Sequence, residues 1–296
     1  MNALIVAAPS DRPLAEQVAA HLNGELARVE VRAFPDEETY VRIDSEVADR
    51  HVVIVANLVR PNARILPALF LAETARELSP ASVGLATPYL PYMRQDARFE
   101  PGEGLTSQYF GALISRSFDW LVTIDPHLHR YQSLDECYAI PSKVAESAAP
   151  IARWIAENVE RPLVVGPDEE SFQWVSAVAQ RAGLPSVIMD KIRHGDREVK
   201  VTGAGLPPWT DQTPVILDDI ISTGRTMVET VRLLREAGLK PPVCVGVHAL
   251  FVGDAYQILR GAGVDRVVTC NTVSHLSNAI DVIGELARGI ESFVSG

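Results

Sequence analysis

The sequence predicts an α/β protein built from two tandem domains, each with a doubly wound parallel sheet. Short runs of apolar, mostly β-branched residues alternate with longer segments whose apolar residues recur at helical spacing. Uninterrupted apolar strands separated by helices are typical of parallel sheets covered on both faces. The 296 residues suit one large domain or two of ordinary size. Because the same rhythm occurs in both halves, two domains are predicted.

The first half carries one strand and helix after another. Its apolar runs, such as LIVAA at residues 4–8 and HVVIVA at residues 51–56, predict buried strands. Between them, apolar residues three and four positions apart predict helices. The predicted strands are 4–8, 51–56, 82–87 and 120–124, and the predicted helices are 11–22, 62–78 and 106–118.

One segment of this half has a different pattern. Residues 29–32 and 40–43 alternate apolar and polar side chains, which is typical of antiparallel strands. The residues between them include the sequence FPDEE at 34–38. The pattern predicts a hairpin that projects this acidic turn.

The second half repeats the rhythm. Its predicted strands are 163–165, 187–189, 215–217, 243–247 and 267–269, and its predicted helices are 171–182, 226–237 and 254–261. A boundary after residue 142 gives domains 1–142 and 143–296. A last helix over residues 278–290 could belong to either domain. A charged stretch from 191 to 201, with one glycine at its centre, is predicted to be a mobile loop.

Composition excludes several classes of protein. With 27 basic and 38 acidic residues, the net charge is −11, which argues against a general nucleic-acid binder. The three cysteines, Cys137, Cys244 and Cys270, form no CxxC motif, so we expect a reducing, cytoplasmic location. No apolar stretch approaches the ~20 residues that a membrane span needs, and residues 1–8 read as a strand rather than a signal peptide. We therefore expect neither nucleic acid nor membrane as a partner.

The densest cluster of chemically useful side chains follows the strand predicted at 215–217. Two carboxylates precede a short Ser-Thr-Gly loop, after which a helix begins. Ligands of open parallel sheets bind beyond the carboxyl ends of strands, and a helix N-terminus suits a phosphate. Since carboxylates repel phosphate, they are expected to accept hydrogen bonds from sugar hydroxyls. The predicted sugar-phosphate site consists of Asp218, Asp219, Ser222, Thr223, Gly224, Arg225 and Thr226. An ordinary helix cap by Ser222 or Thr223 is the alternative.

This loop resembles the phosphoribosyl-diphosphate loop of type I phosphoribosyltransferases and of ribose-phosphate diphosphokinases. Other segments favour the diphosphokinases: PYMRQD at 91–96 resembles their PYxRQD, and FPDEE resembles their FxDxE. DPH at 125–127 and KIR at 191–193 resemble their D-x-H and K-x-R. These matches occur in family order along nearly the whole chain, and residues 98–103 are closest to the archaeal type. The resemblance implies two domains of type I phosphoribosyltransferase topology.

The resemblance also implies an activity. These enzymes transfer the β,γ-diphosphoryl group of ATP to the 1-hydroxyl of ribose 5-phosphate, with Mg²⁺ as cofactor. It implies ATP-binding residues, which are Phe34, Asp36, Glu38, Arg94, Gln95 and Asp96. Because the hairpin of this family reaches the adenine site of a neighbouring subunit, a homo-oligomer is expected. The resemblance places His127 and Asp168 at the metal, with the histidine in direct or water-bridged contact. It makes Lys191 and Arg193 catalytic residues on a loop that closes over the reacting phosphates.

The chain departs from the family pattern at two points. Glu169 and Glu170 follow Asp168 where small residues are usual, and Arg225 replaces a small residue of the phosphate loop. Extra carboxylates near a triphosphate are unfavourable unless they turn away or bind metal. These departures keep open a non-catalytic regulatory subunit and a diphosphokinase or kinase for another sugar phosphate. A phosphoribosyltransferase, which consumes the same diphosphate, is the remaining alternative.

Overall fold

A computed structural model describes residues 2–189, 191–194, 198–201 and 209–295. The chain forms two compact units. Unit 1 combines Met1–Glu146 with Ile283–Gly296, and unit 2 is Ser147–Val282. Each unit contains one six-stranded sheet in which all neighbouring strands are parallel. The predicted α/β class with two parallel sheets is thereby confirmed.

The secondary structure of unit 1 follows the predicted rhythm. Its strands are β1 (Ala3–Ala7), β2 (Glu25–Leu26), β3 (Val29–Ala33), β4 (Thr39–Ile43), β5 (His51–Val55), β6 (Ser82–Thr87), β7 (Trp120–Ile124) and β8 (Ser142–Ala145). Its helices are α1 (Arg12–Leu22), α2 (Ile65–Glu77), α3 (Thr106–Ser117) and α8 (Ile283–Val294). The sheet order is β2-β1-β5-β6-β7-β8. All residues of β1 and β7 are buried and, apart from Thr123, all are apolar, as expected of strands covered on both faces.

The predicted hairpin of unit 1 is confirmed. Strands β3 and β4 pair antiparallel, with Val31 opposite Val41, and form a separate two-stranded sheet. Val31 and Val41 pack against the core, and Arg32 and Arg42, which follow them, are exposed. The acidic turn therefore projects from the unit.

Unit 2 repeats the architecture. Its strands are β9 (Pro162–Gly166), β10 (Ser186–Ile188), β11 (Lys191–His194), β12 (Glu198–Val201), β13 (Thr213–Ile221), β14 (Val243–Ala249), β15 (Arg266–Cys270) and β16 (Asn278–Ile280). Its helices are α4 (Ala148–Asn158), α5 (Phe172–Ala182), α6 (Arg225–Glu236) and α7 (Ala255–Gly261). The main sheet has the order β10-β9-β13-β14-β15-β16, and β11 pairs antiparallel with β12.

The last predicted helix is wrong at its start. Residues 278–280 form strand β16, and the helix begins only at Ile283. The Asn278 side-chain amide donates to Thr269 Oγ1 at 2.9 Å and to the Cys270 carbonyl at 2.8 Å. These bonds fix the segment beside β15, so it extends the sheet of unit 2, while helix α8 packs in unit 1. The predicted boundary after residue 142 also falls inside β8, which pairs with β7.

Helix α8 lies close to the sheet of unit 1. The indole of Trp120 stacks on the ring of Phe293, with centroids 4.9 Å apart. A Cβ added to Gly289 would lie 2.6 Å from Val122 Cγ1, closer than packed carbons approach. Glycine is therefore required at this position by helix-to-sheet distance.

A buried carboxylate occupies the crevice between β1 and β5. Asp11 is 7 % exposed, and its Oδ2 accepts a hydrogen bond from the backbone N–H of Asn57 at 2.9 Å. Arg64 Nη1 lies 3.2 Å from Asp11 Oδ1. Burial raises the pKa of Asp11 to about 6. The loss of hydration destabilises the ionised carboxylate more than the Asn57 backbone amide and Arg64 stabilise it.

No helix in the described ranges is both long and apolar enough to cross a membrane.

We predict that Gly289→Ala lowers the free energy of unfolding by about 1–3 kcal/mol, as overpacking does, although alanine favours helices. Gly284→Ala is the matched control in the same helix, since a Cβ there meets its neighbours no closer than 3.4 Å. Denaturant unfolding of both variants measures the difference. Equal stability of the two variants would contradict the close approach of α8 to β7.

We predict that Asp11 makes stability fall as pH rises from about 4 to about 6. The folded chain holds the Asp11 proton up to a pKa of about 6, whereas the unfolded chain loses it near 3.8. Rising pH therefore favours the unfolded state across this window, by about 3 kcal/mol at most. Denaturant unfolding against pH, compared with Asp11→Asn, isolates the effect. A constant difference between the two proteins across the window would refute it.

Candidate active site

The candidate site of unit 2 lies where β9 and β13 are neighbours. From β9 the chain passes to β10 on one side and later to β13 on the other, so the strand order reverses at this point. Such a reversal opens a crevice at the carboxyl ends of the strands, where ligands of open α/β sheets bind. Asp168 follows β9, and Asp218 and Asp219 lie near the end of β13.

Strand β13 is longer than predicted. The strand expected over residues 215–217 continues to Ile221, because Ile220 pairs with His248 and Ile221 with Ala249 of β14. The two carboxylates are thus within the strand rather than after it. Asp219 is 4 % exposed, and its amide donates to Asp218 Oδ1 at 3.0 Å. Strand geometry, not a loop, therefore orients both acids.

Like charges dominate the electrostatics of this crevice. The pKa of Asp218 is raised well above its ordinary value, first by burial and then by the charges of Asp219 and Asp168. Asp219 and Asp168 are therefore close enough to disfavour the ionised form of Asp218. A bound cation or a set of hydroxyl donors would offset this repulsion.

The loop after β13 leads directly into helix α6. Gly224 is the residue before the helix and has a φ of 69°, a left-handed conformation that favours glycine. Arg225 is the first residue of α6, one position earlier than predicted, and its side chain is exposed. The helix N-terminus thus follows the carboxylates within a few residues, as the sugar-phosphate prediction requires.

The turn after β9 explains how two extra acids are accommodated. Ser171 Oγ donates to the Asp168 carbonyl at 2.5 Å, closing a short 3-10 turn, Glu169–Ser171. Glu169 and Glu170 are both exposed, whereas Ser171 is buried. Solvent therefore screens the two glutamates.

In unit 1, the predicted nucleotide segments occupy two loops. Phe34 begins the turn of the β3–β4 hairpin and is 41 % exposed. The guanidinium of Arg32 lies 4.9 Å from the Phe34 ring and 4.2 Å from the Tyr40 ring. Asp36 and Glu38 are exposed at the same turn. An aromatic face and two acids are thus presented together.

The second segment lies between β6 and α3. Arg94 is exposed, and Gln95 Oε1 accepts a hydrogen bond from Thr106 Oγ1 at 3.1 Å. Asp96 is different, since it is 8 % exposed and its Oδ1 lies 2.7 Å from Arg130 Nη1. This buried carboxylate pairs with a half-exposed arginine and so supports its loop, while its predicted contact with ATP stays a prediction. Arg130 is not predicted from the sequence, where its only signal is its position just after the predicted metal residue His127.

The remaining predicted residues are placed as follows. His127 is partly buried in the loop after β7, with its ring centroid 3.7 Å from that of His129. Lys191 and Arg193 belong to strand β11, which pairs with β12. The side chains of these two predicted catalytic residues lie outside the described part of the chain.

The donor set of unit 2 fits Mg²⁺. Asp168, Asp218 and Asp219 offer carboxylate oxygens, the ligands that this ion prefers. His127, which lies in unit 1, offers only a nitrogen ligand, which Mg²⁺ accepts less readily than oxygen.

Comparison with known proteins identifies both halves of the chain. Residues 3–117 match the family model of the N-terminal domain of ribose phosphate pyrophosphokinase, and residues 133–282 match that of the phosphoribosyl transferase domain. The first match separates the chain from a simple phosphoribosyltransferase.

Relatives and a solved structure agree with these domains. The ribose-phosphate pyrophosphokinase of Methanopyrus kandleri is 31 % identical over 98 % of this chain and 99 % of its own. That of Saccharolobus solfataricus is 32 % identical over 92 % of this chain and 93 % of its own. The crystal structure of phosphoribosylpyrophosphate synthetase from Mycobacterium smegmatis shares the fold, with a TM-score of 0.86 over 100 % of both chains at 24 % identity. The chain belongs to the ribose-phosphate pyrophosphokinase family of enzymes.

Proposed function

We propose that the chain transfers the β,γ-diphosphoryl group of ATP to the 1-hydroxyl of ribose 5-phosphate, giving 5-phosphoribosyl 1-diphosphate and AMP. One observation carries this assignment: the repelling carboxylates of Asp218, partly buried, and Asp219, buried, lie near the carboxyl end of β13, a few residues before a helix N-terminus. These neighbouring environments suit a ligand with hydroxyls at one end and an anion at the other. Ribose 5-phosphate is such a ligand.

At the sugar, each residue type has a distinct role. Asp218 and Asp219 accept hydrogen bonds from the ribose hydroxyls. The amides and hydroxyls of the loop bind the 5-phosphate, aided by the helix dipole of α6. The residues of this loop are Ser222, Thr223, Gly224, Arg225 and Thr226.

At the nucleotide, the residues of unit 1 bind ATP. Phe34 stacks on adenine, while Asp36 and Glu38 accept from its amino group. Arg94 and Gln95 contact the nucleotide directly, and Asp96 holds their loop through Arg130. The exposed ring of Phe34 at the tip of a projecting hairpin supports a homo-oligomer in which this residue serves a neighbouring subunit.

At the reacting phosphates, positive charge lowers the barrier. Bound Mg²⁺ neutralises part of the negative charge of the polyphosphate. Asp168 would hold the ion, and His127 would contact it through water. Lys191 and Arg193 stabilise the charge that spreads over the transferred phosphoryl oxygens.

We place this enzyme in the cytoplasm, with small molecules and no nucleic acid or membrane as partners. The net charge of −11 and three buried cysteines that form no disulfide support this assignment.

We predict that the purified chain forms AMP and 5-phosphoribosyl 1-diphosphate from ATP, ribose 5-phosphate and Mg²⁺. Lys191→Ala should lower kcat by about 10²–10³-fold, the scale on which loss of one stabilising group acts. Lys200→Ala is the matched control, because Lys200 lies in the same hairpin, opposite Ile192. Chelation of Mg²⁺ should abolish turnover. Product analysis by chromatography follows both nucleotides.

Each other outcome names an alternative. ADP in place of AMP would show transfer of a single phosphoryl group, hence a kinase. A folded chain that binds ATP but forms no product would be a regulatory subunit. An equal loss of kcat in Lys191→Ala and Lys200→Ala would contradict a specific role for Lys191.

We predict that Asp218→Asn raises the KM for ribose 5-phosphate by about 10–10²-fold. A hydrogen bond to a charged group contributes about 1.5–3 kcal/mol, and 1.4 kcal/mol is tenfold. Glu169→Gln and Glu170→Gln, which remove exposed charges nearby, should leave this KM within about twofold of its original value. Steady-state kinetics with each substrate varied separately measures all three. A larger rise in this KM on substitution of Glu169 or Glu170 would indicate that those residues recognise the sugar.

A further inference from the structure

A second loop in unit 2 forms backbone hydrogen bonds to the start of the phosphate loop and to the residue before it. It consists of Leu250, Phe251 and Val252, which follow strand β14. The amides of Leu250 and Phe251 donate to the Ile221 carbonyl at 3.1 and 2.9 Å. The amide of Val252 donates to the Ser222 carbonyl at 3.1 Å. We call residues 250–252 the backing loop.

These bonds determine where the phosphate loop directs its own amides. In a planar trans peptide, the carbonyl of one residue and the amide of the next point in opposite directions. Because the carbonyls of Ile221 and Ser222 point to the backing loop, the amides of Ser222 and Thr223 point away from it. No backbone carbonyl among the described residues accepts a hydrogen bond from either amide. Both donors are therefore directed to the opposite side, as an anion site requires.

Phe251 of the backing loop belongs to a cluster of three rings. The centroid of the Phe251 ring lies 4.5 Å from that of His275 and 5.2 Å from that of Tyr256. The centroids of the Tyr256 and His275 rings are 4.8 Å apart. Phe251 has a φ of 23°, which is strained for a residue with a side chain. Strained backbone persists only where surrounding contacts hold it. The ring contacts supply that restraint.

The His275 ring is itself held in one orientation. Its Nδ1 accepts the Ser277 amide at 3.2 Å and lies 2.7 Å from Ser277 Oγ. Nδ1 is therefore the unprotonated nitrogen of the neutral ring. Burial lowers the pKa of His275, which favours this neutral form. His275 thus offers the backing loop a flat, uncharged face.

We propose that Phe251 and His275 are positioning residues for ribose 5-phosphate. Their ring contact holds the backing loop, whose amides bind the Ile221 and Ser222 carbonyls and so aim the Ser222 and Thr223 amides at the 5-phosphate. This inference rests on the proposed role of the phosphate loop. Neither residue belongs to that loop or to the carboxylate cluster.

Two substitutions of His275 separate ring contact from hydrogen bonding. His275→Phe keeps a ring beside Phe251, whereas His275→Asn keeps a polar side chain and loses the ring. We expect His275→Asn and Phe251→Leu to raise the KM for ribose 5-phosphate roughly tenfold, below the 10² that a misplacement of ~1 Å can cost. The KM for ATP and kcat should change little. We expect His275→Phe to behave as the unaltered chain does.

Calorimetric binding of ribose 5-phosphate without ATP provides a readout independent of turnover. Ile258→Ala is the control, since Ile258 is an exposed residue of the adjacent helix α7 and lies outside the ring cluster. Thermal unfolding of each variant accompanies the binding curves. Weaker binding in His275→Asn and Phe251→Leu, with melting unchanged from Ile258→Ala, supports the proposal.

Other results overturn it. Unchanged binding in His275→Asn, or equal losses in His275→Phe and His275→Asn, would show that the ring contact does not position the loop. A parallel rise in both KM values with a lower melting temperature would show a merely structural role. In each of these cases the unaltered chain still binds ribose 5-phosphate and the proposed function stands. Failure of the unaltered chain to bind it would overturn the proposed function and this inference together.

Discussion

Repulsion between three carboxylates at the ends of β9 and β13 is the constraint on which the site depends. The hydrogen-bond ladder between these strands brings Asp168 near Asp218, and burial makes the charge of Asp218 costly. The folded chain tolerates this cost because the sheet is held elsewhere by its apolar strands and helices. A ligand that donates hydroxyls, or a cation, offsets the repulsion that folding leaves in place. The same three carboxylates therefore affect both ligand binding and the stability of the fold.

Unit 1 also has a buried carboxylate in the corresponding crevice, but its surroundings differ. Its sheet has an equivalent strand order, with a crevice between β1 and β5 where Asp11 is buried. Here the chain supplies its own partners, the Asn57 amide and the Arg64 guanidinium. An acid already bound internally offers little to a ligand. The two units thus share a topology but differ in what lies beside the carboxylates of the crevice, which is a backbone amide and a guanidinium at Asp11 and other carboxylates at Asp218.

The sequence predicts the fold well where apolar runs are long, and poorly where they are short. Strands β8 and β16 escaped prediction because only a few of their residues are apolar, and neighbouring strands decide their conformation. Most of the candidate site could be named from local motifs, since strand, loop and helix follow one another in the chain. The Asp96–Arg130 pair and the backing loop could not, because their bonds join residues far apart in sequence. Backbone hydrogen bonds in particular leave no side-chain pattern to detect.

Helix α8 makes unit 1 discontinuous, and this affects how the protein is made. The ribosome completes all of unit 2 before it synthesises the helix that packs against Trp120 and Val122. Unit 2 is continuous in sequence and can fold during translation as domains generally do, whereas unit 1 waits with part of its apolar sheet face uncovered. Contacts between distant parts of a chain also form slowly. The nascent protein therefore passes through a stage in which its first-made sheet is the last to be finished, and chaperones have a surface to protect.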